Sequence, residues 1–107
     1  TDYLNAKGDL EGFKKKFYDK ISSFDGVILP TCPILPPNLE RLKSDKGYYV
    51  AQNLMALRNT RIGNLMGVCA LTIPTNHSSC GLSIMSLPNT EEKLLRIGRV
   101  AENAILK

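Results

Sequence analysis

The sequence predicts an α/β fold, a short sheet with helices packed on it, in the order α-β-α-β-β-α. Three observations predict it. Segments near both ends of the chain carry apolar residues at steps of three and four. Three short apolar runs, each bounded by glycine and proline, read as strands. The last two of these runs are joined by the short loop "TNHSSC". A parallel pair needs a crossover of about a dozen residues, so these two strands are expected to pair antiparallel.

The first helix is carried by "GDLEGFKKKFYDKISSFDG". Leu10, Phe13, Phe17, Ile21 and Phe24 fall on one helical face. Asp9 is the expected N-cap, and Asp25-Gly26 the expected end. Lys14-Lys15-Lys16 reads as the solvated face of this helix. Val27–Leu29 follows, all apolar and without alternation, the pattern of a strand buried on both faces. Pro30 cannot donate to a ladder, so the strand stops or lies at a sheet edge there. The residues before Pro33, Pro36 and Pro37 are held extended. The stretch "PTCPILPP" is therefore a stiff, non-pairing loop at the strand's C-terminal end.

"NLERLKSDKG" reads as a polar connection, and "YYVAQNLMALRN" as a helix with Val50, Leu54 and Leu57 on one face. "TRIGNLMG" is a further helical piece, with Thr60 as N-cap and Gly67 at the C-terminal cap. "VCALTIP" and "GLSIMSL" are the second and third strands. The last helix is "NTEEKLLRIGRVAENAIL". Asn89 and Glu92 have capping-box spacing, and Leu94, Ile97, Ala101, Ala104 and Ile105 form the buried stripe. Met55, Met66 and Met85 read as core gap-fillers.

Composition bounds the function. The chain has 107 residues, 43% hydrophobic and 22% charged, and reads as one globular unit, residues 1–107. No apolar run approaches the ~18–20 residues of a membrane span, so no membrane partner is expected. A net charge of +4 permits an anionic partner without demanding one. Cys32, Cys69 and Cys80 form no C-x-x-C pair, which suits free thiols in a reducing, cytoplasmic compartment. One histidine and three scattered thiols lack zinc-finger spacing, so no metal is expected. The chain begins at Thr1, which reads as a piece of something longer.

Two stretches taken together resemble the C-terminal part of the amidase signature family of hydrolases. One is "DGVILPTCP"; the other is "RNTRIGNLMGVCALTIP" followed by "CGLSIMSLPNTEEKLLRIGRVAE". Asp25, Pro30, Thr31, Pro33, Asn64, Gly67, Pro74, Gly81, Leu94, Leu95 and Glu102 fall on the family's pattern in order. Three places depart from it. Cys69 stands where the family commonly has proline, Thr75-Asn76 where a glycine is common, and Ser79 where a second proline is common. These departures leave the substrate open.

The resemblance implies the C-terminal portion of the amidase signature fold, with these strands part of a mixed sheet. It implies a parent that cleaves carboxamide C–N bonds through a Ser-Ser-Lys triad, a serine attacking the amide carbonyl while hydrogen-bond donors stabilise the oxyanion. All three triad residues would lie upstream of this chain, so it alone is expected to be inactive. The expected partners are that upstream catalytic part, a small-molecule amide and further copies of the protein as a homo-oligomer. Nucleic acid is expected only through a role in a tRNA amidotransferase. No organic cofactor is implied.

The local substitutes for a triad have ordinary readings as well. Ser78-Ser79 lies in a turn-rich loop, Ser22-Ser23 at a helix end near Lys20, and His77 three residues from Cys80. No catalytic residue is assigned within the chain. Ligands of open α/β sheets gather beyond the carboxyl ends of strands. Thr31, Cys32 and Pro33, with Asn64, are therefore candidates for a substrate-cleft wall, and a structural connector is the alternative reading of the same loop. For the whole chain, the alternative is a stand-alone α/β interaction or regulatory module without catalysis.

Overall fold

A computed structural model describes residues 1–107. Five helices and three strands follow in the order α1 (Asp2–Ile21), β1 (Val27–Pro30), α2 (Leu39–Ser44), α3 (Lys46–Ala56), α4 (Arg58–Met66), β2 (Cys69–Pro74), β3 (Gly81–Ser86) and α5 (Glu91–Ile105). The helices pack on one small sheet of strand order β1-β3-β2. Both pairings are antiparallel, with Val27 opposite Met85 and Pro30 opposite Leu82, and Cys69 opposite Ser86 and Pro74 opposite Gly81. Within this chain the sheet is thus antiparallel rather than mixed, because no helical crossover links neighbouring strands.

Helix α1 starts at Asp2, a full turn and more before the expected cap, and Asp9 sits exposed inside it. Leu4, Ala6 and Lys7 are good helix formers, so nothing stops the helix at Asp9. The helix ends at Ile21, where Ser22 N–H donates to Tyr18 O. Ile21 is buried, Leu10 and Phe17 are half-buried, and Phe24, beyond the helix end, is exposed. The Tyr18 hydroxyl donates to Met66 O and ties α1 to the end of α4.

The polar connection contains a helix of its own. Asn38 Oδ1 accepts from Arg41 N at 2.9 Å and starts α2; Asp45 Oδ1 accepts from Tyr48 N at 2.9 Å and starts α3. Both caps are sequence signals, but α2 has only six residues, too few for periodicity to register. The order is therefore α-β-α-α-α-β-β-α. Thr60 lies inside α4, its hydroxyl donating to Leu57 O at 3.1 Å, and Leu57 holds the N-cap position instead. Gly67 ends α4 in the left-handed region (φ 64°), as expected.

The strand buried on both faces is β3, whose central position places helices over one side and the other. Ser83, Ile84, Met85 and Ser86 are all buried. On one face Ile73, Ile84 and Leu94 form the core, with Leu71, Leu82, Ile97, Ala101 and Ile105 packed around them. On the other, Met85 lies under Gly63 of α4, where an added Cβ would meet Met85 Cε at 3.2 Å. Strand β1 is an edge strand, and Ile28 is 66% exposed on the α5 side. The expectation that Val27–Leu29 is covered on both faces fails within this chain because α5 crosses β2 and β3 and leaves β1 open.

Helix α5 is capped at Thr90, not Asn89. Asn89 is left-handed (φ 61°), a conformation asparagine tolerates, and Glu92 pairs with Arg96 instead of closing a capping box. Ser86 Oγ and Thr90 Oγ1 lie 2.7 Å apart, tying the helix start to β3. The buried stripe holds at Leu94, Ile97, Ala101 and Ile105; Ala104 is exposed, and Gly98 takes a buried place because Leu71 occupies the space of a side chain there.

The molecule is a slab of 52 × 45 × 17 Å with a radius of gyration of 16.6 Å. A compact chain of this length has a radius near 13 Å. Its accessible surface is 7854 Å2. A compact folded monomer of 11.8 kDa exposes about 5,900 Å2. The excess, about 1,900 Å2, is more than twice the ~800 Å2 that each partner contributes to a standard protein–protein interface.

The β2–β3 register sets the thiols apart. Cys69 lies at the Ser86 end of the hairpin and Cys80 just beyond the Gly81 end. At ~3.3 Å per residue that separation exceeds the ~7 Å Cα limit of a disulfide. All three cysteines are free. Three thiols are expected to titrate after denaturation without reductant. A count of one would contradict this, and would implicate Cys32 with Cys80, since Thr31 N–H donates to Gly81 O at 2.9 Å beside them.

Candidate functional site

The stiff loop leaves β1 at Pro30, at the C-terminal end of the strand. Its carbonyl oxygen accepts from Asn59 Nδ2 of α4 at 2.7 Å. The residue that pins the loop to α4 is therefore Asn59; Asn64, on the same helix, is exposed. Cys32 and Pro33 are exposed, and Thr31 is half-buried.

Thr31 Oγ1 lies 2.8 Å from Ser83 Oγ and 3.5 Å from Thr72 Oγ1; Ser83 Oγ lies 3.1 Å from Thr72 Oγ1. Strands β2 and β3 and the first residue beyond β1 thus contribute one hydroxyl each at one end of one sheet face. Gly81 makes room for them. A Cβ there would stand 3.0 Å from Thr31 Oγ1 and 3.3 Å from Thr72 Cγ2. Ser83 is buried, and its hydroxyl is satisfied by the two threonines. Ser83 and Thr72 were not singled out by sequence reasoning. Their period-two spacing from Met85 and Ala70 carried the signal, but only the strand register shows that they meet Thr31.

The other candidates resolve into local structure. Thr75 Oγ1 donates to Cys80 O at 2.8 Å and accepts from His77 N at 3.2 Å, while Cys80 N–H donates to His77 O at 3.2 Å. These bonds shape the turn that carries exposed Ser78 and Ser79, the latter at φ 61°. Ser22 Oγ donates to Asp19 O at 2.9 Å and closes the end of α1. Asp25 forms an ion pair with Lys93 Nζ of α5 at 2.8 Å. The hydrogen bond from Lys93, and then its charge, hold the Asp25 carboxyl below its ordinary value.

A second concavity lies away from the loop. A groove of about 450 Å3 runs between β2 and the first turns of α5, lined by Val68, Leu71, Pro88, Leu94 and Leu95, with Glu91 at its rim. No helix of the protein is long and apolar enough to cross a membrane.

Comparison with curated proteins decides the family. Over 91% of its length the chain is 35% identical to 2-amino-5-chloromuconic acid deaminase of Comamonas testosteroni. The chain belongs to the amidase signature family. It is 31% identical, over 98% of its length, to a glutamyl-tRNA(Gln) amidotransferase subunit of Saccharolobus solfataricus, and 27% identical over its whole length to fatty acid amide hydrolase of Oryza sativa subsp. indica. The amidase signature chain spans about a fifth of the length of these relatives, between 18% and 22%. What it shares with them is a C-terminal portion. No family model and no solved structure matches it.

Proposed function

We propose that this chain is the C-terminal scaffold of an amidase-type hydrolase that cleaves carboxamide C–N bonds by serine acyl transfer, with the nucleophile and its activators supplied by the rest of the enzyme. The similarity to a deaminase, an amide hydrolase and an amidotransferase component over nearly the whole chain carries this reading. In it, Asn59 and the hydroxyls of Ser83 and Thr72 hold the Pro30–Pro37 loop in place, and Thr31, Cys32 and Pro33 present its outer side as part of the cleft wall. Asn64, exposed further along α4, is the remaining candidate for that wall. The substrate is a small-molecule amide, and the compartment is reducing and cytoplasmic.

The test is ammonia release. The purified chain is expected to release none above blank from a panel of primary carboxamides. Removing triad members leaves a serine hydrolase only residual catalysis through binding and oxyanion stabilisation, and here that surface is incomplete as well. Joined to the remaining part of the Comamonas testosteroni relative, the chain is expected to support C–N hydrolysis. Release by the chain alone, abolished by Ser78→Ala or Ser79→Ala, would overturn the reading.

A further inference from the structure

The ladder between β1 and β3 runs one bond past the end of β1. Pro30 lies opposite Leu82, and Thr31 N–H then donates to Gly81 O at 2.9 Å. In the same register the next opposed pair is Cys32 and Cys80. Thr31 and Gly81 meet as a hydrogen-bonded pair, so the position beyond them is a non-hydrogen-bonded one, where Cα atoms of a ladder stand about 4.5 Å apart. A disulfide spans Cα separations of about 4.4–6.8 Å.

Both backbones are held at this place. Pro30 O accepts from Asn59 Nδ2 at 2.7 Å, and Thr31 Oγ1 lies 2.8 Å from Ser83 Oγ. Cys80 O accepts from Thr75 Oγ1 at 2.8 Å, and Cys80 N–H donates to His77 O at 3.2 Å. Gly81 lets the two chains approach, since a Cβ there would stand 3.0 Å from Thr31 Oγ1. The chain bends from Thr31 onward, but Cys32 precedes Pro33, which steers it towards the extended backbone a ladder uses. Pro33 has no N–H, so the ladder can gain Cys32 and nothing after it. By strand alternation both side chains then turn to the sheet side away from Thr31. Both thiols are exposed, whereas Cys69 is half-buried at the other end of the hairpin.

We propose that Cys32 and Cys80 are a redox modification site, a dithiol that a peroxide closes to a disulfide. The thiolate of one cysteine attacks the peroxide. An S–O bond forms, the O–O bond breaks, and the leaving hydroxide takes up the proton the thiol gave up and becomes water. The thiolate of the other cysteine attacks the resulting sulfenic sulfur. The S–S bond forms, the S–O bond breaks, and a second water leaves. The electron pair passes from sulfur to the peroxide oxygen. A dithiol reductant reopens the bond by thiol–disulfide exchange. In a reducing compartment such a pair rests open and closes on oxidant challenge. Closure draws Cys32 into the ladder and so fixes the first residues of the Pro30–Pro37 loop. The consequence for a substrate cleft rests on the functional reading above, and the bond itself on the register.

The test adds hydrogen peroxide in small excess to the purified chain at sub-micromolar concentration, then alkylates it in denaturant. Titratable thiols are expected to fall from three to one, the survivor being Cys69, in a chain that keeps its monomer mass apart from the loss of two hydrogens. Dithiothreitol should restore all three, and peptide mapping should find Cys32 joined to Cys80. Thr31 N–H should exchange at least ~10-fold more slowly in the oxidised chain, because the bond beyond it stops the end of the ladder from fraying. Cys32→Ser and Cys80→Ser should each abolish the bond, and Cys69→Ser should leave it. A bond that includes Cys69, bonds between chains, oxidation that runs on to sulfinic acid without a bond, or a closed bond that leaves Thr31 exchange unchanged would each overturn the proposal. In the enzyme assembled with the remaining part of the Comamonas testosteroni relative, peroxide should lower kcat/KM several-fold and dithiothreitol should restore it, and Cys80→Ser should remove the response. A closed bond with no change in C–N hydrolysis counts against the loop as a cleft wall and leaves the redox site standing.

Discussion

Purified by itself at micromolar concentration, the chain is expected to self-associate and to bind a dye specific for exposed apolar surface. Only five hydrophobic side chains are buried: Ile21, Ile73, Ile84, Met85 and Leu94. On the helices between β1 and β2, Val50, Leu54, Leu57, Ile62 and Leu65 are each at least 41% exposed. Contiguous apolar patches beyond a few hundred Å2 mark interaction sites or aggregation liabilities. If the excess surface of about 1,900 Å2 is as apolar as an ordinary protein surface, about 1,000 Å2 of apolar area awaits cover. At ~25 cal/mol per Å2 that forgoes about 25 kcal/mol, an upper estimate that still exceeds the ~5–15 kcal/mol of a whole domain. Sedimentation and dye fluorescence measure the outcome. Association is expected through α3 and α4. A monomer with a cooperative melt and no dye binding would contradict this, and would favour a stand-alone module without catalysis.

The second large effect concerns the core. Leu94→Ala and Ile84→Ala are each expected to lower the chain's unfolding free energy by about 2–5 kcal/mol, the usual cost of emptying a well-packed site. Leu94 is 4% exposed and Ile84 2%, and with Ile73 they make the only buried cluster that joins α5 to the sheet. A core this small has no second cluster to hold the helix, so either substitution should lower the denaturant midpoint far more than a change at an exposed position does. Leu95→Ala, one position along and 61% exposed, is the control, expected within about 0.5 kcal/mol of the parent chain. Denaturant midpoints by circular dichroism compare them. Equal midpoints for Leu94→Ala and Leu95→Ala would show that α5 does not dock as described.

Gly98 refines the same picture. Leu71 Cδ2 fills the place where a Cβ would be, so α5 crosses β2 on its glycine. Gly98→Val should push the helix off the sheet and cost about 1–3 kcal/mol by overpacking. The glycine was invisible to periodicity, which counts apolar side chains and passes over a residue that has none.

By itself the sequence determined the family, the three strands, the antiparallel closing hairpin and the helices at both ends. Each of these is local: a period of 3.6 in Leu94 to Ile105, an apolar run between Gly67 and Pro74, a loop too short for a crossover. The Gly67 cap was legible for the same reason, since the left-handed end of a helix is a property of a few bonds. The sequence also proposed Thr31 as a residue of interest, but not its partners. Tertiary structure alone decided that β3 lies between β1 and β2, and that Ser83 and Thr72 therefore meet Thr31. It decided that Asn59 rather than Asn64 holds the loop, since α4's rotation about its axis is set by Met85 packing on Gly63. It decided as well that β1 is open where an all-apolar strand was expected to be covered. An apolar run records that a strand is buried somewhere; which surface buries it depends on chain far away in sequence, and for Ile28 that surface is not in this chain.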